Sequence, residues 1–210
     1  MILKHNYWCF PKALSLRFCN EVKKFGLQHK NKLAVVGGLR KTTNFEKVPL
    51  TKKEIKILKK IRNSMVAWVG RPWIYKELHP YVNLANKSAG WNFQWEQSET
   101  IQFTYYKKGQ YYGWHRDGWE SPYQDSLPEY NGKIRKLSCI AVLSDSHEYT
   151  GGNLEFDFGN KDKPKITSCK EMRNKGSLIV FPSFLWHRVT PIKTGMRYSL
   201  VFWNLGRPFV

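Results

Sequence analysis

No apolar run in this chain approaches the length needed to cross a bilayer, so no membrane partner is expected. Cysteine is scarce: Cys9, Cys19, Cys139 and Cys169 form no CxxC pair and no His/Cys cluster, which leaves buried or surface thiols in a reducing cytoplasm. The opening MILKHNYWCF carries a Lys and a His within its short apolar stretch and has no small-residue cleavage site. The expectation is therefore no signal peptide and a cytoplasmic protein, in the host cytoplasm if the chain is phage-encoded. Repeats and long linkers are also missing. Acidic residues are few, 16 Asp and Glu against 35 Lys and Arg, giving a net charge of +19. Such a field favours polyanions and anionic substrates, and non-specific nucleic-acid contact is compatible with it. Lys, Asn and Ile are all plentiful, so a compositional bias explains the charge equally well.

What is present fits one domain over residues 1–210. Aromatic residues make up 15% and hydrophobic residues 41%, enough for a sizeable core. Residues 1–90 read as mainly helical. After a short strand, Ala13, Leu14, Phe18, Val22 and Phe25 recur at helical spacing behind Ser15 as N-cap. VVGGLRKTTNFEKVPL reads as loop. Thr51 and Glu54 form a capping box, and a helix is expected through EIKILKKIRNSMVAWV with Ile55, Leu58, Ile61, Met65 and Trp68 on one face. Its opposite, basic face is a solvated surface or a site for an anionic partner. A third helix around KELHPYVNLANKSA is interrupted by Pro80. From Trp91 the pattern changes to short β-branched and aromatic runs: WNFQWEQ, TIQFTYY, KLSCIAVLS, GNLEFDF, GSLIVFP and RYSLVFWN. Helices first and many short strands later predict a mainly β, α+β fold, with helices packed on a sandwich or jelly roll over residues 91–210.

One short motif carries chemistry. In YGWHRD, His115 and Asp117 stand two apart, and on a strand both would point to one side. Alone the triplet is weak. His187, just after the strand GSLIVFP, supplies a second imidazole. Two imidazoles and one carboxylate can occupy one face of an octahedron and leave three positions open, as in non-haem Fe(II) sites. Of the other histidines, His147 lies beside Asp145 and Glu148 in SDSHEYTGG, which reads as a polar turn. On the last strand Arg197, Ser199, Val201 and Trp203 share one face, while Tyr198, Leu200 and Phe202 share the other. An arginine facing a barrel interior needs an anionic partner, and a dicarboxylate cosubstrate would supply one, with the Ser199 hydroxyl alongside. A structural ion pair is the other use of such an arginine.

The blocks YYKKGQYYGWHRD, LSCIAVLSDSHEYTGGNLEF and KGSLIVFPSFLWHRVTPIKTGMRYSLVFWN resemble the Fe(II)/2-oxoglutarate dioxygenases of the prolyl 4-hydroxylase type, above all their bacterial and phage PKHD subgroup. The likeness covers roughly residues 90–206. It implies a double-stranded β-helix, cupin-like, supported by N-terminal helices, with iron at its open end. It implies His115, Asp117 and His187 as iron ligands and Arg197 as the 2-oxoglutarate carboxylate binder. Ser199 would be a second polar contact, joined by Tyr106 or, one register away, Tyr105. Trp203 would lie near iron and substrate; Tyr112 and Trp114 would line the pocket or simply pack. The implied reaction hydroxylates a prolyl residue of a protein or peptide while 2-oxoglutarate is decarboxylated to succinate and CO2, with ascorbate as a stimulant.

The carboxylate Asp117 matters here. Related halogenases carry a small residue in its place, so hydroxylation is expected. A nucleic-acid dealkylase on the same fold is the second reading, but its usual second arginine would fall at position 203, which is Trp. A free amino acid, proline, is a further substrate option, and an inactive basic binding module is a third class that the complete ligand set argues against. A translation component, either a ribosomal protein or an elongation factor, is the expected partner. The segment GWESPYQDSLPEYNGKIRK reads either as a lid over a peptide or as a plain hairpin connection.

Overall fold

The structure, a computed structural model, describes residues 3–29, 32–34, 51–118, 121–124, 128–160 and 162–209. The chain opens with strand β1 (Trp8–Phe10), helix α1 (Leu16–Gln28), β2 (Lys32–Leu33), α2 (Lys52–Ile61), β3 (Arg62–Asn63), β4 (Met65–Trp68) and α3 (Pro72–Ser88). Strands then dominate: β5 (Gln97–Ser98), β6 (Gln102–Tyr106), β7 (Tyr111–His115), β8 (Ile134–Val142), β9 (Tyr149–Gly151) and β10 (Leu154–Asp157). They continue with β11 (Ile166–Ser168), β12 (Leu178–Pro182), β13 (Trp186–Val189), β14 (Ile192–Gly195) and β15 (Arg197–Gly206).

The helix starts follow from their caps. The Ser15 hydroxyl accepts the Phe18 N–H at the head of α1. Thr51 and Glu54 close the expected capping box on α2. The far end of α2 differs from expectation. The helix stops at Ile61, and the chain turns into β3 and β4 instead of continuing through Trp68. Asn63 and Ser64 are poor helix formers, and the next residues gain two strand partners: β3 pairs with β7 and β4 with β6. Trp68, placed on the buried helical face by spacing alone, is half exposed at 50%. Pro80, read as an interruption, lies inside a continuous α3. WNFQWEQ is strand only at its end, in β5. The VVGGLRKTTNFEKVPL loop reading falls on residues 35–50, outside the described residues.

The larger sheet runs β1-β12-β8-β15-β6-β4-β2, with β5 added on β15. The smaller runs β11-β10-β13-β7-β3, and β14 pairs with β9. Neighbouring strands are antiparallel throughout, and the two sheets form a double-stranded β-helix. Alternation sorts the larger sheet into two faces. Phe103, Leu137, Cys139, Ala141, Leu178, Val180, Tyr198, Leu200 and Phe202 join Leu14, Phe18, Val22, Ile74, Leu78 and Val82 of the helical side in one apolar core. Their strand neighbours Ile140, Val142, Ile179 and Phe181 point the other way, onto Leu154 and Phe156 of the smaller sheet. The helices thus cover one face of the larger sheet and leave its other face to the interior between sheets. No helix among the described residues is long and apolar enough to cross a membrane. The four cysteines are free thiols.

α1 lies so close to β6 that a Cβ on Gly26 would collide with the ring of Phe103, itself fully buried. Gly26→Ala gains helix propensity of about 1 kcal/mol but overpacks this contact, at a cost of about 1–3 kcal/mol. A lower denaturant midpoint for Gly26→Ala is expected; an unchanged or raised midpoint would show that the helix does not rest on β6 at this point.

Candidate functional site

The site is built on the pairing of β7 with β13. His187 stands directly opposite His115, and the next registered pair is Val189 with Tyr112. One residue on β13, Arg188, therefore matches two on β7, a bulge at Gly113 and Trp114. A regular strand would turn Tyr112 and His115 to opposite faces. With the extra residue both reach the interior, and their rings stack with centroids 3.4 Å apart and planes 12° from parallel. Asp117 is not on the strand, contrary to the expectation that one extended element delivers both ligands. The chain leaves β7 after His115, and the Ser183 carbonyl holds it there by accepting the N–H groups of Asp117 and Gly118. His187, as expected, comes from a neighbouring strand, β13, just after β12.

The three side chains converge. His115 Nε2 is 3.7 Å from Asp117 Oδ1, and His187 Nε2 is 3.4 Å from Asp117 Oδ2. All three ligand atoms fall within 4.8 Å of one another, and this is the one such His/Cys/Asp/Glu group among the described residues. The separations exceed those of a charge-assisted hydrogen bond. They are close to the roughly 3 Å expected between donors about 2.1 Å from one ion at right angles. Tautomers are fixed from behind. His115 Nδ1 lies 2.8 Å from the Gly113 carbonyl and His187 Nδ1 3.0 Å from the Leu185 carbonyl. A carbonyl only accepts, so each Nδ1 carries the proton and each Nε2 offers a lone pair inward. Burial, joined by the neighbouring His187, lowers the His115 pKa to about 3, which keeps it neutral. Burial works against ionising Asp117, but His187, His115 and Arg135 outweigh it and lower its pKa to about 2. Two imidazoles and one carboxylate are a donor set suited to a divalent ion.

Arg197 marks the other end of the same cavity. It is 1% exposed, yet among the described residues its Nε and Nη2 have no hydrogen-bond partner, and Nη1 donates to the Ser199 hydroxyl at 3.2 Å. A buried guanidinium with two unmet donor atoms and, among the described residues, no acid paired with it fits an incoming carboxylate. Parity decides between the two tyrosines. Tyr106 lines the cavity with Arg197 5.8 Å over its ring, whereas Tyr105 packs against the helical core. Trp203, Ser199, Val201 and Tyr112 also line it. The cavity is tight, with about 30 Å³ of free volume, so a five-carbon diacid enters only if side chains at its walls adjust.

Several residues of the site were not foreseen. Tyr149, buried with its hydroxyl unpaired, lies next to Arg197 across Gly152, whose added Cβ would stand 3.2 Å from Arg197 Cδ and 3.4 Å from Tyr149. Gly152 also has φ of +62°, so the TGG of the sequence is a backbone requirement beside the arginine. Arg62, Gln102 and Val189 line the cavity as well. Arg135 stacks 3.8 Å over Trp203 and forks onto Glu99 with two 2.6 Å bonds, and Tyr123 donates to the same carboxylate. Trp114 is absent from the inner cavity. It lines an outer cleft of about 640 Å³ with His115, Arg116, Tyr123 and Trp186. Of the segment read as either a lid or a hairpin connection, residues 119–120 and 125–127 lie outside the described residues, and Ser121, Pro122, Tyr123 and Gln124 line this cleft. Of SDSHEYTGG, read as a polar turn, Ser146 and His147 form the turn, Glu148 bonds to Lys23, and Tyr149–Gly151 is strand β9.

Comparison with known proteins agrees with this geometry. The profile of the 2OG-Fe(II) oxygenase superfamily matches residues 101–204. A PKHD-type hydroxylase of Synechococcus sp. (strain CC9605) is 38% identical over 96 residues, 45% of this chain and 36% of that protein. One of Janthinobacterium sp. (strain Marseille) is 34% identical over 103 residues, 48% of this chain and 41% of that one. The matched stretch thus spans well under half the length of these relatives. Among solved structures, the viral collagen prolyl hydroxylase of Paramecium Bursaria Chlorella virus-1, in its 2OG complex, superposes with a TM-score of 0.61 at 19% identity, over 96% of this chain and 97% of that one. A Pseudomonas putida prolyl-4-hydroxylase gives 0.62 at 18%, over 97% and 94%. A Trichoplax adhaerens prolyl hydroxylase, solved with a hypoxia inducible factor peptide fragment, gives 0.57 at 17%, over 95% and 83%. Through residues 101–204, the stretch that carries both histidines, the aspartate and Arg197, the chain belongs to the 2OG-Fe(II) oxygenase superfamily.

Proposed function

We propose that this chain is an Fe(II)- and 2-oxoglutarate-dependent dioxygenase that hydroxylates a prolyl residue in a protein or peptide. The observation that carries the reading is one cavity with a His-Asp-His donor set at one end and a buried, half-unpaired guanidinium at the other. His115, Asp117 and His187 would hold the metal. Arg197, with Ser199, Tyr106 and Tyr149 around it, would hold the far carboxylate of the cosubstrate. Metal and cosubstrate together supply an oxidant made from dioxygen, with succinate and CO2 as by-products.

The chain's own work is binding, orientation and exclusion of water. The Gly113 and Leu185 carbonyls keep both imidazoles aimed inward. With Asp117 as a ligand, no place would be left for a halide in its stead, which favours hydroxylation. Phe156 and Phe181 pack around His187 and keep its far side dry. The outer cleft opens at His115, and its Trp114 and Trp186 offer flat apolar walls of the kind a proline ring packs on. Trp203 and Tyr112 stand at the inner side of that passage. A translation component in the same compartment is the partner class this reading favours.

With Mn(II) as a redox-silent probe, His115→Ala, Asp117→Ala and His187→Ala should each weaken metal binding by more than about 100-fold in calorimetric titration. Wild-type affinity in all three would remove the metal assignment. Arg197→Met should leave Mn(II) affinity in place and weaken 2-oxoglutarate binding at least about tenfold. Equal cosubstrate affinity in the two proteins would refute that role. With Fe(II), 2-oxoglutarate and a library of proline-containing peptides, mass spectrometry should find one added oxygen on proline in some peptide. Turnover of 2-oxoglutarate with oxygen gained only by nucleic acid or by free proline would overturn the peptide reading.

A further inference from the structure

Arg62 presents a second buried cation to the cavity. It is 5% exposed and lies on β3, directly opposite Tyr112 in the β3–β7 pair. Its guanidinium sits 4.4 Å over the Tyr112 ring, whose other face is occupied by the His115 imidazole at 3.4 Å. The partners of Arg62 are neutral. Nε donates to the Ser64 hydroxyl at 2.8 Å and Nη2 to the Gln102 side-chain carbonyl at 2.7 Å, a carbonyl that Thr104 also donates to. Among the described residues no hydrogen bond uses Nη1. Asp117 is the one carboxylate among the residues lining the cavity, against two fixed guanidinium groups there, Arg62 and Arg197. Arg135, the third arginine nearby, is already neutralised by Glu99. A divalent ion on the triad adds further positive charge. The cavity therefore carries net positive charge and suits an anionic ligand, and among the described residues the charge of Arg62 has no acidic partner.

The strand register says where that partner sits. Along β15 and β6, Arg197 faces Tyr106, Ser199 faces Thr104, and Val201 faces Gln102. Arg62 is anchored on Gln102, four residues and about 13 Å of strand from Arg197, in the direction of Trp203. Trp203 lies at the Asp117 end, and Tyr112 links Arg62 to His115. The two arginines thus address opposite ends of one cavity.

We propose that Arg62 is a second anion-binding residue, holding the carboxylate of the 2-oxo acid nearer the metal-ligating side chains, while Arg197 holds the far one. The inference rests on reading this cavity as a 2-oxoglutarate site. It makes the cavity selective for a 2-oxo dicarboxylate by charge at both ends, and it gives a purpose to a guanidinium buried among neutral groups.

Binding by the Mn(II)-loaded protein tests this, using 2-oxoglutarate and 2-oxobutyrate, which keeps the near carboxylate and keto group but lacks the far carboxylate. Arg62→Met should weaken both ligands by at least about tenfold while Mn(II) affinity holds, since a charged hydrogen bond is lost at the carboxylate they share. Arg62→Lys should recover part of the loss. Arg197→Met should weaken 2-oxoglutarate and leave 2-oxobutyrate at the wild-type value. Three outcomes overturn the proposal: no change in Arg62→Met, weakening of 2-oxoglutarate alone, or loss of Mn(II) binding in step with the 2-oxo acids. The last would mean that Arg62 acts on the fold or on His115 through Tyr112. Failure of the wild-type protein to bind Mn(II) and 2-oxoglutarate would instead sink the cavity assignment on which Arg62 depends.

Discussion

Everything at this site depends on how β7 pairs with β13. The ladder sets His187 opposite His115, and the bulge at Gly113 and Trp114 turns Tyr112 inward beside it. The same bulge exposes the Gly113 carbonyl to His115 Nδ1, so one backbone irregularity both aims the imidazole and fixes its tautomer. Asp117 then needs only one further constraint, the Ser183 carbonyl, to bring its carboxylate between the two rings. Removing the extra residue would move Tyr112 to the outside and break the stack that reaches Arg62.

The larger sheet supplies the other half of the site by simple alternation. Tyr198, Leu200 and Phe202 anchor β15 to the helical core. Arg197, Ser199, Val201 and Trp203 are thereby forced into the cavity. The apolar face is what makes a buried arginine tolerable, because the strand cannot rotate it to solvent without exposing three core side chains. Arg62 and Arg197 against the single carboxylate of Asp117 leave the cavity net positive, which suits an anionic ligand. The same logic separates this interior charge from the +19 of the whole chain, much of which sits on exposed lysines such as those of α2.

Much of this was legible in the sequence, and the limits have physical causes. Period-2 alternation in RYSLVFWN gave the two faces of β15 correctly. The spacing of His115 and Asp117 pointed to two side chains that do converge, but not by sharing one strand, since Asp117 is carried by a pinned loop. Tyr105 and Tyr106 could not be separated until the β6–β15 register fixed which one faces inward. Tyr112 and Trp114, equivalent by alternation, were split between inner cavity and outer cleft by the bulge, and a bulge leaves little trace in a sequence beyond a glycine. Arg62 was hidden because Ile55, Leu58 and Ile61 continue at helical spacing into Met65 and Trp68. Long-range pairing with β6 and β7 overrode that local periodicity and turned a solvent-facing helix position into a cavity wall. Tyr149 and Glu99 owe their places to contacts from distant segments, which a single sequence does not display.

The central claim is that one cavity holds a divalent ion on His115, Asp117 and His187 and a dicarboxylate reaching to Arg197. The most direct measurement is an anomalous-scattering map from crystals grown with Mn(II) and 2-oxoglutarate. The account predicts a single strong peak within coordinating distance of both Nε2 atoms and the Asp117 carboxylate, with the far carboxylate of the diacid on Arg197. A peak at another set of side chains, or a diacid bound away from Arg197, would contradict it.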